Sequence, residues 1–138
     1  MPDTPHCTVD VVITNEQGKV LLIERANPPH GWALPGGFVD RGERLDTAAR
    51  REAGEETGLE LAGLEQFAAY SDPARDPRGH TVSVVYLAEA RGTARADSDA
   101  AGAAWFSWDD LPELAFDHGT ILADARRYRQ GGGRPRLP

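Results

Sequence analysis

The sequence predicts an α+β fold, and three observations carry that expectation. Runs rich in aliphatic and β-branched residues recur at His6–Thr14, Lys19–Arg25, Leu64–Tyr70, Thr81–Ala90 and Ala103–Phe106. Two other segments repeat their apolar residues at helical spacing. One carries Leu45, Ala48, Ala49 and Ala53, and the other carries Ile121, Leu122, Ala125 and Tyr128. Glycine- and proline-rich breaks punctuate the pieces and set their ends.

Taken in order, the first two runs flank Asn15-Glu16-Gln17-Gly18, so they should form a hairpin. Asn27-Pro28-Pro29-His30-Gly31 cannot continue a strand and predicts a loop. Trp32-Ala33-Leu34 and Phe38-Val39 then bracket Pro35-Gly36-Gly37 as two short extended pieces around a tight bend. The first helix should begin near Leu45–Thr47, with Asp46 or Thr47 as its cap, and stop at Gly58. Gly54 inside it costs about 1 kcal/mol relative to alanine. Arg91–Ala101 reads as a small polar loop, Asp109–Leu114 as a helical turn, and Asp117 or Thr120 as the cap of a last helix reaching about Arg129. Residues 1–130 therefore form one domain and 131–138 a mobile tail, with no repeat, linker or second domain.

Bulk properties narrow the possible partners. The 138 residues suit one domain with a real core. A net charge of −7 argues against nonspecific binding to a nucleic-acid backbone. No apolar run approaches the roughly 18 residues needed to span a membrane, and no basic-then-apolar leader opens the chain. The single cysteine, Cys7, permits no intramolecular disulfide and fits a reducing cytoplasm; it reads as a small hydrophobe at a strand start.

The chemistry concentrates between Gly37 and Leu59. Glu52, Glu55 and Glu56 stand at i, i+3 and i+4, so on a helix their carboxylates share one face within about one turn. Such repulsion is tolerated when a cation sits among the carboxylates. Hard oxygens converging from one side suit Mg²⁺ or Mn²⁺, completed by water and substrate phosphate. The implied reaction is metal-assisted attack of water on a phosphate ester or anhydride.

Gly37, Glu43, Arg51, Glu52, Glu55, Glu56 and Gly58, with Ala53 and Leu59 at the two apolar positions, fall at the spacing of the Nudix box. The chain resembles a Nudix hydrolase over roughly residues 6 to 130, and Trp32–Gly37, Trp105-Phe106 and Leu111-Pro112 resemble family framework. The resemblance implies a central mixed sheet packed between helices, an α/β/α sandwich. It implies Glu52 and Glu56 as principal metal ligands, Glu55 as the third metal-binding carboxylate, and the carbonyl of Gly36 or Gly37 as a further ligand. Arg51 would orient one carboxylate, and Glu43 would hold the loop to the helix. Many relatives carry a base glutamate three residues before the tryptophan of the late strand, where this chain has Gly102. That leaves Glu55 or Glu56 of the box as preferred base, with Asp99 next and Asp97 as a further alternative.

Tyr70–His80 resembles the corresponding loop of ADP-ribose pyrophosphatases, as does Leu114–His118. Arg75 and Arg78 are placed to grip a phosphate or stack on a base, beside His80, and Arg25, His30 and Trp32 are further substrate-contact candidates. The expected reaction is Mg²⁺-dependent cleavage of ADP-ribose to AMP and ribose 5-phosphate. Alternatives are pyrophosphohydrolysis of oxidised or ordinary nucleoside triphosphates, and a noncatalytic nucleotide sensor. A nucleotide is the expected small-molecule partner. Relatives specific for ADP-ribose are often homodimers, and short forms can be monomeric.

Overall fold

The computed structural model describes residues 4–92 and 100–136. In chain order these form β1 His6–Thr14, β2 Val20–Arg25, β3 Trp32–Ala33, β4 Gly36–Phe38, α1 Leu45–Thr57, β5 Ala62–Tyr70, β6 Thr81–Glu89, β7 Ala100–Phe106 and α2 His118–Arg129. Asp97 and Asp99 lie outside the described residues.

The predicted hairpin forms, but it closes only at its turn, where Thr14 pairs with Val20. Beyond the turn its strands part. β1 runs parallel to β6 from His6 opposite Thr81 to Thr14 opposite Glu89, whereas β2 turns to pair antiparallel with β7. The gap is filled by β3 on β2 and β4 on β1, so the bend at Pro35 enters the sheet, and its carbonyl accepts the Val11 N–H at 2.9 Å. β5, antiparallel to β6, extends the sheet on the far side.

Alternation along β1 feeds two cores. Val9, Val11 and Ile13 pack with Ala48, Ala49 and Ala53 of α1, while Val12 packs with Ile121, Leu122 and Ala125 of α2. The mixed sheet thus lies between two helices, as the α/β/α expectation has it. No helix among the described residues is long and apolar enough to cross a membrane.

Several local expectations are corrected. Arg44, not Asp46 or Thr47, occupies the N-cap of α1, and no side chain caps it; Asp46 is already inside the first turn and pairs with Arg44 at 3.0 Å. Asp109–Leu114 forms no helix, because its end is drawn into the sheet edge. The Trp32 N–H donates to the Glu113 carbonyl and the Ala115 N–H to the Trp32 carbonyl, placing Leu114 in a bridge beside Trp32. Residues 131–136 fold back instead of trailing away: Arg134 donates to Glu65 and to the Phe67 carbonyl. Cys7 does start a strand, but it is exposed.

Gly58 ends α1 as expected, at φ 75° with its N–H on the Gly54 carbonyl. A Cβ at Gly54 would meet nothing within 4 Å. Gly54→Ala should therefore stabilise the chain by up to about 1 kcal/mol, a rise in Tm of roughly 3–5 °C. A thermal melt showing a lower Tm would mean that the position is not free.

Candidate active site

The site forms where the Pro35-Gly36-Gly37 bend meets α1. A Cβ on Gly36 would stand 2.1 Å from the Val9 carbonyl oxygen, and one on Gly37 would stand 2.5 Å from the carboxyl carbon of Glu52. Only glycine lets the bend enter the sheet and the helix carboxylate lie against it. Glu56, one turn on from Glu52, accepts the Gly36 N–H at 2.8 Å. Adjacent glycines thus seat both carboxylates.

Arg51 secures the arrangement from behind. Its Nε and Nη2 donate to the two oxygens of Glu43 at 2.7 and 2.9 Å, its Nη1 to Glu52 at 2.8 Å, and its Nη2 to the Phe38 carbonyl at 3.2 Å. Glu43 also accepts the Asp40 N–H, which ties the loop to the helix. The hydrogen bonds from Arg51, then the one from Asp40, hold the Glu43 carboxyl down at about 2. Glu55 is half exposed and 3.4 Å from Arg51; neither borders the cleft.

The cleft has a volume of about 490 Å³, within the range of small-molecule sites. Asp10, Glu52 and Glu56 border it together with Gly36 and Gly37, and so do Arg25 and Arg78. Burial pushes Glu56 up to about 8, against the Gly36 hydrogen bond and with the charges of Glu52 and Asp10 adding to the rise. Burial likewise raises Glu52, and it lifts Asp10 to about 7 despite a hydrogen bond from Ser83 and the nearby Arg75 charge. Glu56, whose hydrogen bond among the described residues comes from a neutral N–H, is a part-buried hard-oxygen donor with no salt-bridge partner there. That donor chemistry fits Mg²⁺ or Mn²⁺. Among the described residues no three acidic, imidazole or thiol groups make a ready-made metal cage. The fit is therefore of the kind in which a few carboxylates hold the ion and water and phosphate complete its shell.

The remaining substrate candidates separate. Arg25 borders the cleft, donates from Nε to the Pro29 carbonyl at 2.8 Å, and lies 4.8 Å over the Phe116 ring. Arg78 borders it too, donating to both oxygens of Asp76. Arg75 touches the cleft wall but is buried, with Nε and Nη2 on Asp117 at 2.9 and 2.7 Å and Nη1 on Thr81 at 2.7 Å. All three guanidinium nitrogens are engaged inside the protein, so the expected phosphate grip is corrected to a structural tie. His80 is exposed, outside the cleft, with Nε2 2.9 Å from the Ser71 carbonyl. Trp32 packs edge-on against Phe106 at 4.9 Å in the α2-side core, also away from the cleft.

Asp10 and His118 were not singled out as site residues from the sequence. A signal for Asp10 was present: it is the one charged residue between Val9 and Ile13. His118 Nδ1 accepts the Leu34 N–H at 3.0 Å, which leaves the proton on Nε2, 3.6 Å from Asp10. Burial first, then the charges of Arg75 and Arg25, push His118 down to about 3. A histidine whose folded value lies below its unfolded one of about 6.5 supports the fold above that pH. The support is lost as pH falls from about 6.5 towards 3, by about 1.4 kcal/mol per pH unit. His118→Asn, which keeps an acceptor near Leu34, should flatten the acid limb of unfolding free energy against pH by about one proton. An unchanged slope would refute a neutral His118.

Carboxylates and guanidinium groups that line one cleft suit a class, hydrolases of phosphoanhydrides. A family model described as the NUDIX domain matches residues 4–125, and the chain belongs to the Nudix family, as a pyrophosphohydrolase. It is 43% identical over 130 residues to an ADP-ribose pyrophosphatase of Methanocaldococcus jannaschii, covering 92% of this chain and 76% of that protein. It is 37% identical to the ADPR responsive transcriptional repressor NtrR of Acinetobacter baylyi, over 88% of this chain but only 53% of the repressor. Among solved structures, the NUDIX domain of Shewanella oneidensis NrtR complexed with ADP ribose superposes with a TM-score of 0.87 at 30% identity, covering 93% of this chain and 90% of that one.

Proposed function

We propose that this protein hydrolyses the pyrophosphate linkage of ADP-ribose, or of a closely related nucleoside diphosphate derivative, giving AMP and ribose 5-phosphate with Mg²⁺ or Mn²⁺. The observation that carries the reading is the two-signed cleft, with Glu52 and Glu56 facing the same space as Arg25 and Arg78. A phosphoanhydride bridged by a cation needs both signs. The similarity to an ADP-ribose pyrophosphatase supports the choice of substrate.

Glu52, Glu56 and a carbonyl of Gly36 or Gly37 would hold the divalent cation, which when bound supplies charge neutralisation and water activation. Arg51 acts as a positioning residue by fixing Glu52. Arg25 and Arg78, which line the same cleft, bind the substrate. The oxygen of water bonds to one phosphorus, the bridging P–O bond breaks, and the leaving phosphate takes its electron pair. Of the two box carboxylates expected as base, Glu56 borders the cleft and accepts the water's proton, whereas Glu55 stands outside it. Gly102 offers no side chain for that role, and the neighbouring Glu24 is exposed.

The test is product identification with ADP-ribose, NADH and 8-oxo-dGTP in parallel, each with Mg²⁺ and with Mn²⁺. Formation of AMP and ribose 5-phosphate from ADP-ribose is the expected result. Hydrolysis of 8-oxo-dGTP alone would move the reading to triphosphates, and binding of ADP-ribose without turnover would move it to a sensor.

A further inference from the structure

Phe38 is the large hydrophobic side chain left exposed among the described residues, at 44%, and it borders a polar cleft. It directly follows Gly37, against which Glu52 packs, and it lines the same cleft as Glu52 and Glu56. On the same cleft, Phe116 adopts φ 55°. That backbone region is costly for a bulky side chain and persists where the surrounding structure enforces it. The Arg78 guanidinium lies over both rings, 5.4 Å from the centre of Phe38 and 5.2 Å from that of Phe116. Its anchor, Asp76, is a buried carboxylate that grips it from the side.

Two aromatic rings that share one flat, delocalised cation present π faces that a flat heterocycle can also use. We propose that Phe38 and Phe116 form the subsite for the nucleobase of the substrate, with Arg78 yielding its place between the rings and moving to the edge of the base. The subsite rests on the nucleotide reading of the cleft given above. It explains an exposed ring and a strained backbone that the phosphate chemistry leaves unused. It also assigns Arg78 to the base rather than to the pyrophosphate alone.

Equilibrium binding of AMP in the presence of Mg²⁺, measured by calorimetry on the wild type, Phe38→Leu, Phe38→Tyr and Phe116→Leu, tests this directly. Stacking of a base on an aromatic ring is worth about 1–3 kcal/mol. Phe38→Leu and Phe116→Leu should therefore weaken AMP roughly 5- to 150-fold, whereas Phe38→Tyr restores binding. The KM for ADP-ribose should rise in step in the leucine variants with kcat held, as expected for lost uniform binding. Phe38 is exposed, so its loss leaves the core intact. Unchanged AMP affinity in both leucine variants would overturn the subsite, as would equal losses in Phe38→Leu and Phe38→Tyr or a wild type that binds no AMP. Because AMP binding needs no turnover, failure of ADP-ribose hydrolysis is read separately from failure of the subsite.

Discussion

Glu56→Gln is expected to lower kcat by on the order of 10²–10⁴-fold while the chain stays folded. The amide oxygen of glutamine can still accept the Gly36 N–H, so the tie between helix and bend survives. What disappears is the negative charge, and with it both a hard ligand for a divalent cation and a candidate proton acceptor. With a chelator present the Glu56 carboxyl, raised to about 8, is largely protonated at neutral pH, so the neutral amide should leave Tm about unchanged. Steady-state turnover and a melt on the same preparation decide the matter. A variant retaining more than about a tenth of wild-type kcat would exclude Glu56 from the chemistry.

The second large effect is on stability. Arg75→Leu removes the cation that bonds both oxygens of Asp117 and also bonds Thr81. Breaking one side of a buried pair costs about 3–5 kcal/mol. Asp117 keeps 23% of its side chain exposed, so about 2–4 kcal/mol is expected here. Arg75→Lys should recover only part of that, because an ammonium cannot reproduce the fork. A double-mutant cycle with Asp117→Asn isolates the pair. A coupling energy under about 0.5 kcal/mol would contradict the structural role assigned to Arg75.

Much of the fold could be read from local pattern. β1, α1 and β6 were placed to within a residue or two, because β-branched runs and a three-alanine stripe speak for themselves. The shared helix of Glu52 and Glu56 was legible for the same reason, but Glu55, expected to join them at a metal, is half exposed and stands off the cleft. The loop 70–80 was misread in part, because arginine looks alike in sequence whether it faces a ligand or a carboxylate. Arg75 finds Asp117 across 42 positions, while Arg78 finds Asp76 two residues away. Only three-dimensional placement distinguishes the buried tie from the group at the cleft. Trp32 was ambiguous for a related reason, an aromatic beside a glycine bend whose partner, Phe106, is distant in the chain. The cap of α1 was misplaced because Asp46 has the right chemistry two residues too late.

The splayed hairpin governs when the protein becomes functional as it folds. β1 completes its pairing only with β6, whose residues follow it by about seventy-five positions, and long-range parallel pairing forms slowly because chain closure precedes its reward. Asp10, Glu56, Arg78 and His118 reach the cleft from four separate stretches of chain. α1 can gain helical structure from local contacts well before these groups converge. In a refolding time course, far-ultraviolet circular dichroism should therefore recover ahead of hydrolysis, and turnover reports completion of the whole sheet rather than formation of the glutamate helix.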